Sequence, residues 1–248
     1  MTLDFLQGYD GAILQGAQVT IEVALLSLLV AVLLGILGAL AKLSSYRWAR
    51  VIATIYTTII RGIPDLVLMM LIFFGGQILL NNSLYSINEH LNVLMTSFDP
   101  SHQEFSYLPD YIDVSPFVAG VLTIGFILGA YMAETFRGAI LAVDRGELEA
   151  AKAYGMSSSL SFRRILLPQM VRHALPGFGN NWLVLLKTTA LVSIIGLEDM
   201  VRVGSLAAGS TKMPFTFYMT VSVIFLIFTS ISTVLLNMLE RKYSLHTR

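Results

Sequence analysis

The stretch "VIATIYTTIIRGIPDLVLMMLIFFGGQILL", Val51 to Leu80, decides how many times this chain crosses a membrane. Read as two helices it adds two crossings, and read as one it adds one. A bilayer core about 30 Å thick needs roughly 20 helical residues at 1.5 Å each. The part before the charged break "RGIPD" (Arg61 to Asp65), Val51 to Ile60, would reach only about 15 Å and cannot span. Pro64 lacks a backbone donor and disturbs the turn before it. The stretch therefore predicts a single crossing, mainly Leu66 to Leu80, preceded by an interfacial or kinked approach.

The rest of the chain suits a bilayer equally well. Of 248 residues, 55% are hydrophobic and only 13% charged, with a mean hydropathy of +0.72. Soluble domains hold about 45–50% apolar and about 25% charged residues. Val23 to Ala41, Val114 to Ala133 and Met213 to Leu239 carry no charge, and Ala174 to Leu197 is interrupted only by Lys187. The reading is an all-α polytopic membrane protein, one domain over 1–248, with five transmembrane helices near 13–42, 52–81, 115–137, 175–198 and 213–239. The N-terminal residues show no basic region, apolar core and small-residue cleavage site, so the first span is expected to be retained. A net charge of zero favours neither a nucleic-acid partner nor an acidic substrate. The absence of cysteine excludes disulfides, thiolate metal sites and cysteine nucleophiles.

Basic residues set the orientation. With the N-terminus outside and the C-terminus inside, the inner segments Lys42 to Arg50, Arg137 to Arg172 and the tail from Arg241 hold three, six and three Lys or Arg. The outer segments hold only Arg202 and Lys212. That asymmetry is the positive-inside pattern. Tyr46 and Trp48, beside Arg47 and Arg50, fit an aromatic belt at the inner interface.

One inner segment is unusual. "GELEAAKAYGMSSSLSFRRILLPQM", Gly146 to Met170, carries two glutamates, a lysine and two arginines among apolar spans. Glu147 to Tyr154 is rich in helix formers, Gly155 suits a left-handed helix end, and Ser157 to Ser159 offer N-caps for a second helix from about Leu160. Pro168 is expected to stop or bend that second helix. Ala150 and Ala151 leave a low surface able to enter a groove, with Glu149, Arg163 and Arg164 to orient it by charge. An amphipathic pair lying on anionic headgroups is the competing reading.

The residues themselves carry a resemblance. Glu149, Ala150, Ala151, Gly155, Ile165, Leu167 and Pro168 reproduce the EAA---G---------I-LP signature of the membrane subunits of bacterial binding-protein-dependent ABC importers. "RGIPDLVLMMLIFFGGQ" (61–77), "GAYMAETFRGAI" (129–140) and "LPGFGNNWLVLLKTTALVSIIGLEDMV" (175–201) resemble the polar amino-acid branch, and within it the Q-type subunits of histidine, arginine, lysine, ornithine and opine permeases. The segment Asn81 to Ser115 departs from that pattern by its length. The resemblance implies a bacterial inner-membrane permease subunit, not itself an enzyme, with 146–170 as a cytoplasmic coupling helix-turn-helix. It implies a second homologous membrane subunit, an ATPase dimer that binds ATP and Mg, and a periplasmic solute-binding protein. Consistently, the chain has no GxxxxGK[ST] loop for nucleotide.

Five helices are too few to enclose a polar path alone, since unsatisfied polar groups in lipid cost several kcal/mol each. Charged residues in or near the spans are Glu22, Arg61, Glu134, Arg137, Lys187, Glu198 and Asp199. On straight helices Lys187 lies near mid-membrane, and Glu198 with Asp199 at the outer mouth. Lys187, Glu198, Asp199 and Glu134 are the substrate-pathway candidates. Glu134 and Arg137, three apart, can satisfy each other, and Glu198 or Asp199 can cap the following helix. His90, His102, His173 and His246 lack metal-ligand spacing, and no GxSxG or HExxH motif is present. A standalone ion-coupled secondary transporter and a non-transporting scaffold are the rival readings.

Overall fold

A computed structural model describes residues 6–98 and 105–243; His102, His246 and Arg248 lie outside the described residues. Among these, all regular structure is helical. The helices are α1 (Asp10–Leu43), α2 (Arg47–Gly62), α3 (Asp65–Phe98, with a π-turn at Leu71–Gly75), α4 (Pro116–Leu141) and α5 (Arg145–Ala153). They continue with α6 (158–188, with a π-turn at Phe162–Leu166), α7 (Met200–Thr211) and α8 (Pro214–Tyr243). Four of them, α1, α3, α4 and α8, are long and apolar enough to cross a membrane.

The stretch 51–80 divides at Pro64. Ile63 (ψ 139°) and Pro64 (ψ 135°) are extended, which separates α2 from α3. Residues from 65 onward then form one rod. The α2 helix packs deeper than an interfacial helix would: Tyr56 Oη donates to the carbonyl of Phe126 (2.6 Å), ten residues into α4. At its end, the Arg61 guanidinium lies 5.4 Å from the centre of the Tyr131 ring.

The outer excursion 81–115 is not a loop throughout. Residues 81–98 contain neither glycine nor proline, so α3 continues to Phe98. The expected crossing that ends near Leu80 is thus the lower part of a 34-residue rod about 51 Å long.

Likewise, 175–198 is not one straight helix. The α-helical part of α6 ends at Thr188, and a 3₁₀ turn follows over Thr189–Ser193. Thr188, Thr189 and Ser193 each donate a side-chain hydrogen bond to a carbonyl three or four residues back. Such back-bonding competes with the regular ladder. Gly196 then takes φ +94°, a conformation glycine adopts without cost, and turns the chain toward α7. The segment still runs alongside most of α4: Gly177 meets Thr135, and Val192 meets Gly120.

The centre of the protein is the parallel pair α1 and α4. Ser27 donates to the carbonyl of Val121 (3.2 Å), Val30 packs on Gly125, Leu34 on Gly129, Met132 on Gly35, and Ala133 on Gly38. Gly35, Gly38, Gly125 and Gly129 therefore serve packing within the chain. Ile124, Ile127, Leu128 and Met132 complete a core from which Leu185, Leu186 and Val192 exclude solvent on the α6 side.

A second cluster, around Ile13, Met200, Ala207 and Phe217, ties the outer ends of α1, α7 and α8 together. There the Met200 N–H donates to Thr20 Oγ1 (3.3 Å), and a Cβ at Gly16 would stand 2.9 Å from the Met200 backbone. Asp199 caps α7: its Oδ1 accepts the Arg202 N–H (2.9 Å). The residue is fully buried and its Oδ2 makes no hydrogen bond, and burial pushes the carboxyl up to about 6.

Two outcomes follow from this packing. A Cβ at Gly125 would lie 2.6 Å from Val30 Cβ, so Gly125→Leu should cost about 1–3 kcal/mol and lower the midpoint of thermal unfolding in detergent. Gly138→Ala, on the same helix with open space around it, should leave the midpoint unchanged or raise it. Asp199 in the unfolded chain ionises near about 3.9, below its folded value. The folded state thus holds the proton longer, and this group's contribution to stability falls as pH rises through roughly 4 to 6. Asp199→Asn, which retains a capping oxygen, should remove that dependence and be more stable than the parent at pH 7.5 but not at pH 4, measured by the same unfolding assay.

Candidate functional site

The inner-face turn is built by local rules. Asp144 caps α5 by accepting the Gly146 N–H (2.8 Å). At the other end the Met156 N–H reaches the Ala151 carbonyl (3.0 Å) and the Gly155 N–H the Lys152 carbonyl (3.0 Å). With Gly155 at φ +76°, this is a Schellman stop. Ser157 Oγ then accepts the Leu160 N–H (3.3 Å) and opens α6.

Pro168 does not stop that second helix. The π-turn at Phe162–Leu166 precedes it and relaxes the ladder where proline cannot donate, and the helix runs on through Pro176 to Thr188. The turn and the span that follows are one continuous rod.

The signature residues occupy two faces. Glu149, Ala150, Gly155 and Pro168 are exposed, Leu167 is 36% exposed, and Ile165 is half-buried. Ala151 is only 3% exposed and packs inward, so of the signature pair only Ala150 lies on the open face, and Ala151 permits close approach of α5 to its own chain. Gln169 donates to the Glu147 carboxylate and ties α5 to α6. Sequence reasoning passed over Tyr154, which is 88% exposed at the tip. Its position directly before the helix-ending glycine was the available signal, because a side chain there points clear of the stop.

The four pathway candidates are not gathered into one site. Glu134 lies at the inner ends of α1 and α4, where it accepts from Lys42 and from Arg137 Nε (2.9 Å). The Glu134–Arg137 pair is as anticipated, but Lys42 is an added partner; it could have been found from the inner-end position of both residues on two inward-running spans. With side chains of 12% and 19% exposure, Lys42 and Glu134 form a largely buried structural knot. Asp199 sits at the opposite end, sealed under α7, while its neighbour Glu198 is exposed.

Lys187 differs from the others. It is exposed on α6, and no ion pair to it is found among the described residues. It continues a stripe of exposed positions, His173, Pro176, Asn180 and Val184, at helical spacing. Three of these five side chains are polar, on a segment flanked by apolar spans. Such a face suits water or protein, not lipid tails. The opposite face of α6 is committed to α4: Asn181 donates to Thr135 Oγ1 (3.0 Å), and Gly177 abuts the Thr135 methyl group. Among the described residues, no group of three or more His, Asp or Glu is placed to hold a metal.

Comparison with known proteins agrees with this geometry. The family described as binding-protein-dependent transport system inner membrane component matches residues 6–245. The histidine/lysine/arginine/ornithine transport system permease protein HisQ of Salmonella typhimurium is 51% identical over 239 residues, 96% of each chain. The nopaline transport system permease protein NocQ of Agrobacterium fabrum is 42% identical, covering 91% of this chain and 88% of its own. A crystal structure of an amino acid ABC transporter with histidines aligns with TM-score 0.75 and 31% identity, over 98% of this chain and 100% of that one. The MetNI methionine ABC transporter, inward facing, shares the fold at TM-score 0.65 and 14% identity. This chain belongs to the binding-protein-dependent transport system inner membrane component family.

Proposed function

We propose that this chain is one of two membrane subunits of an ATP-driven importer for basic amino acids or related opines, working by alternating access. Its partners are a homologous membrane subunit, a cytoplasmic ATPase dimer that binds ATP and Mg, and a periplasmic solute-binding protein. The observation that carries the reading is the turn at 149–155, whose Glu149, Ala150, Tyr154 and Gly155 are exposed and left uncovered by the other described residues. Relatives named for histidine, lysine, arginine, ornithine and nopaline transport support the substrate class.

The chemistry assigns a division of labour. The coupling turn 146–170, with Glu149, Ala150, Ala151, Gly155, Ile165, Leu167 and Pro168, receives the ATPase. Movement passes along the rod of α6 to the polar stripe, where Lys187 can meet a substrate carboxylate or a polar group of the companion subunit. Glu198 is the remaining acidic residue at the outer mouth able to attract a cation. Glu134 and Asp199 are assigned to structure, since their oxygens are committed or buried.

ATP hydrolysis in the complex reconstituted with the companion subunit, the ATPase and the binding protein tests the reading. Glu149→Lys or Gly155→Asp should abolish stimulation by liganded binding protein while the membrane subunits remain folded. Transport by the purified chain alone under an ion gradient would instead establish a secondary transporter, and no effect of either substitution would leave a scaffold.

Lys187→Met gives a separate outcome. Loss of a charge-assisted contact corresponds to about 10–100-fold in transport rate, with assembly and basal hydrolysis retained. An interface role would show instead as loss of assembly on size-exclusion chromatography.

A further inference from the structure

Beyond the bilayer, α3 carries an arm that the importer reading leaves without a task. The return segment 105–115 lies extended along the helix and is strapped to it by side-chain amides. Asn81 exchanges two bonds with Ile112 (Nδ2 to O 3.1 Å, N to Oδ1 2.8 Å), and Gln77 accepts from the Val114 N–H (3.0 Å). Asn88 receives the Tyr107 and Leu108 N–H groups (3.1 and 2.9 Å) and donates to the Leu108 carbonyl (3.0 Å). Asn92 pairs both ways with Phe105 (3.0 and 2.9 Å). Positions 77, 81, 88 and 92 share one helix face, so the amides act as a ladder that replaces a neighbouring strand.

This ladder also places the arm. Because α4 begins at Pro116, the lowest rungs at Gln77 and Asn81 lie where the chain leaves the bilayer. From there to Phe98 the helix projects about 25 Å. Between helix and strap runs an open groove of about 860 Å³, lined in part by Tyr85, Glu89, Val93, Phe105 and Asp110.

We propose that this arm, 81–98 with its strap 105–115, is a docking post for the external solute-binding protein, engaging a lysine- or arginine-bearing face of it. The inference rests on the importer reading for the existence of that partner, and the arm itself supplies the complementarity. Residues 81–98 and 105–115 contain three acidic residues (Glu89, Asp110, Asp113) and no lysine or arginine. Tyr85, Phe105 and Tyr111 are 69%, 62% and 63% exposed on an element that stands in water. Exposed aromatics beside a single-signed charge are the anchors and the steering field of a protein interface. The other occupants fit less well. Anionic lipid repels this charge, a second copy of the arm would oppose like to like, and the ladder holds the groove open in advance, which reduces the ordering cost of docking.

The test uses the assembled importer in nanodiscs and its solute-binding protein, identified by co-purification with the complex and loaded with a basic amino acid. Affinity is measured at two salt concentrations together with ATP hydrolysis. Glu89 and Tyr85 take no part in the ladder, so Glu89→Lys and Tyr85→Ala should leave the arm folded. Together they should weaken docking about tenfold, flatten its salt dependence, and leave basal hydrolysis unchanged. Equal affinity and equal salt dependence in the double variant would overturn the proposal. So would a photo-crosslinker at Tyr85 that labels only the companion membrane subunit. If half-maximal stimulation of hydrolysis occurs at the same binding-protein concentration in the arm variants as in the parent, the arm has no docking role while the importer reading stands. A particle that holds no ATPase would remove both.

Discussion

The close approach of α1 to α4 is the contact on which the rest of this structure depends. Lipid tails give two apolar helices no reason to associate, so their contact must come from shape. Gly125, Gly129, Gly35 and Gly38 provide the shape, each receiving a neighbour where a side chain would otherwise stand. Everything else is referenced to that pair. The α6 rod lies along α4 through Gly177 and Asn181, α2 reaches α4 through Tyr56, and the outer cluster fastens α7 to α1 through Gly16. The knot of Lys42, Glu134 and Arg137 closes the inner end, where a charge would be costly if left alone.

Around this rigid centre the chain leaves specific faces uncommitted. The aliphatic exteriors of α1 and α8 suit lipid. The inner turn, the polar side of α6 and the outer arm do not. They lie at three separate places, the turn at one end of the bundle, the α6 stripe along its side and the arm at the opposite end. The proposed importer would meet a different partner at each.

Much of this was legible in the sequence because the signals were local. The Schellman stop at Gly155, the serine cap at Ser157 and the break at Pro64 each depend on a few adjacent residues. Errors arose where a residue's effect is decided by what surrounds it. Pro168 reads as a stop or a bend, and the helix runs on past it because a π-turn upstream absorbs the missing donor. Leu80 reads as the end of a span because hydropathy declines there, but helical propensity does not. Asp199 reads either as an acid at the outer mouth or as a cap of the following helix, and only the fold decides for the cap and seals it beneath α7. The amide ladder was invisible because an asparagine is equally compatible with a solvated loop, and its bonds link residues up to 37 positions apart.

The unbroken course of α6 has a mechanical consequence. From Ser158 at the inner turn to Lys187 is about 44 Å of helix, without a joint between them other than the π-turn near its base. A rod of that length converts rotation into displacement: tilting it by about 10° about its lower end carries the lysine sideways by about 8 Å. In the proposed coupling, small angular strokes at the foot of the rod would move the polar stripe by the width of a small molecule, and the π-turn beside Pro168 is where the rod can flex.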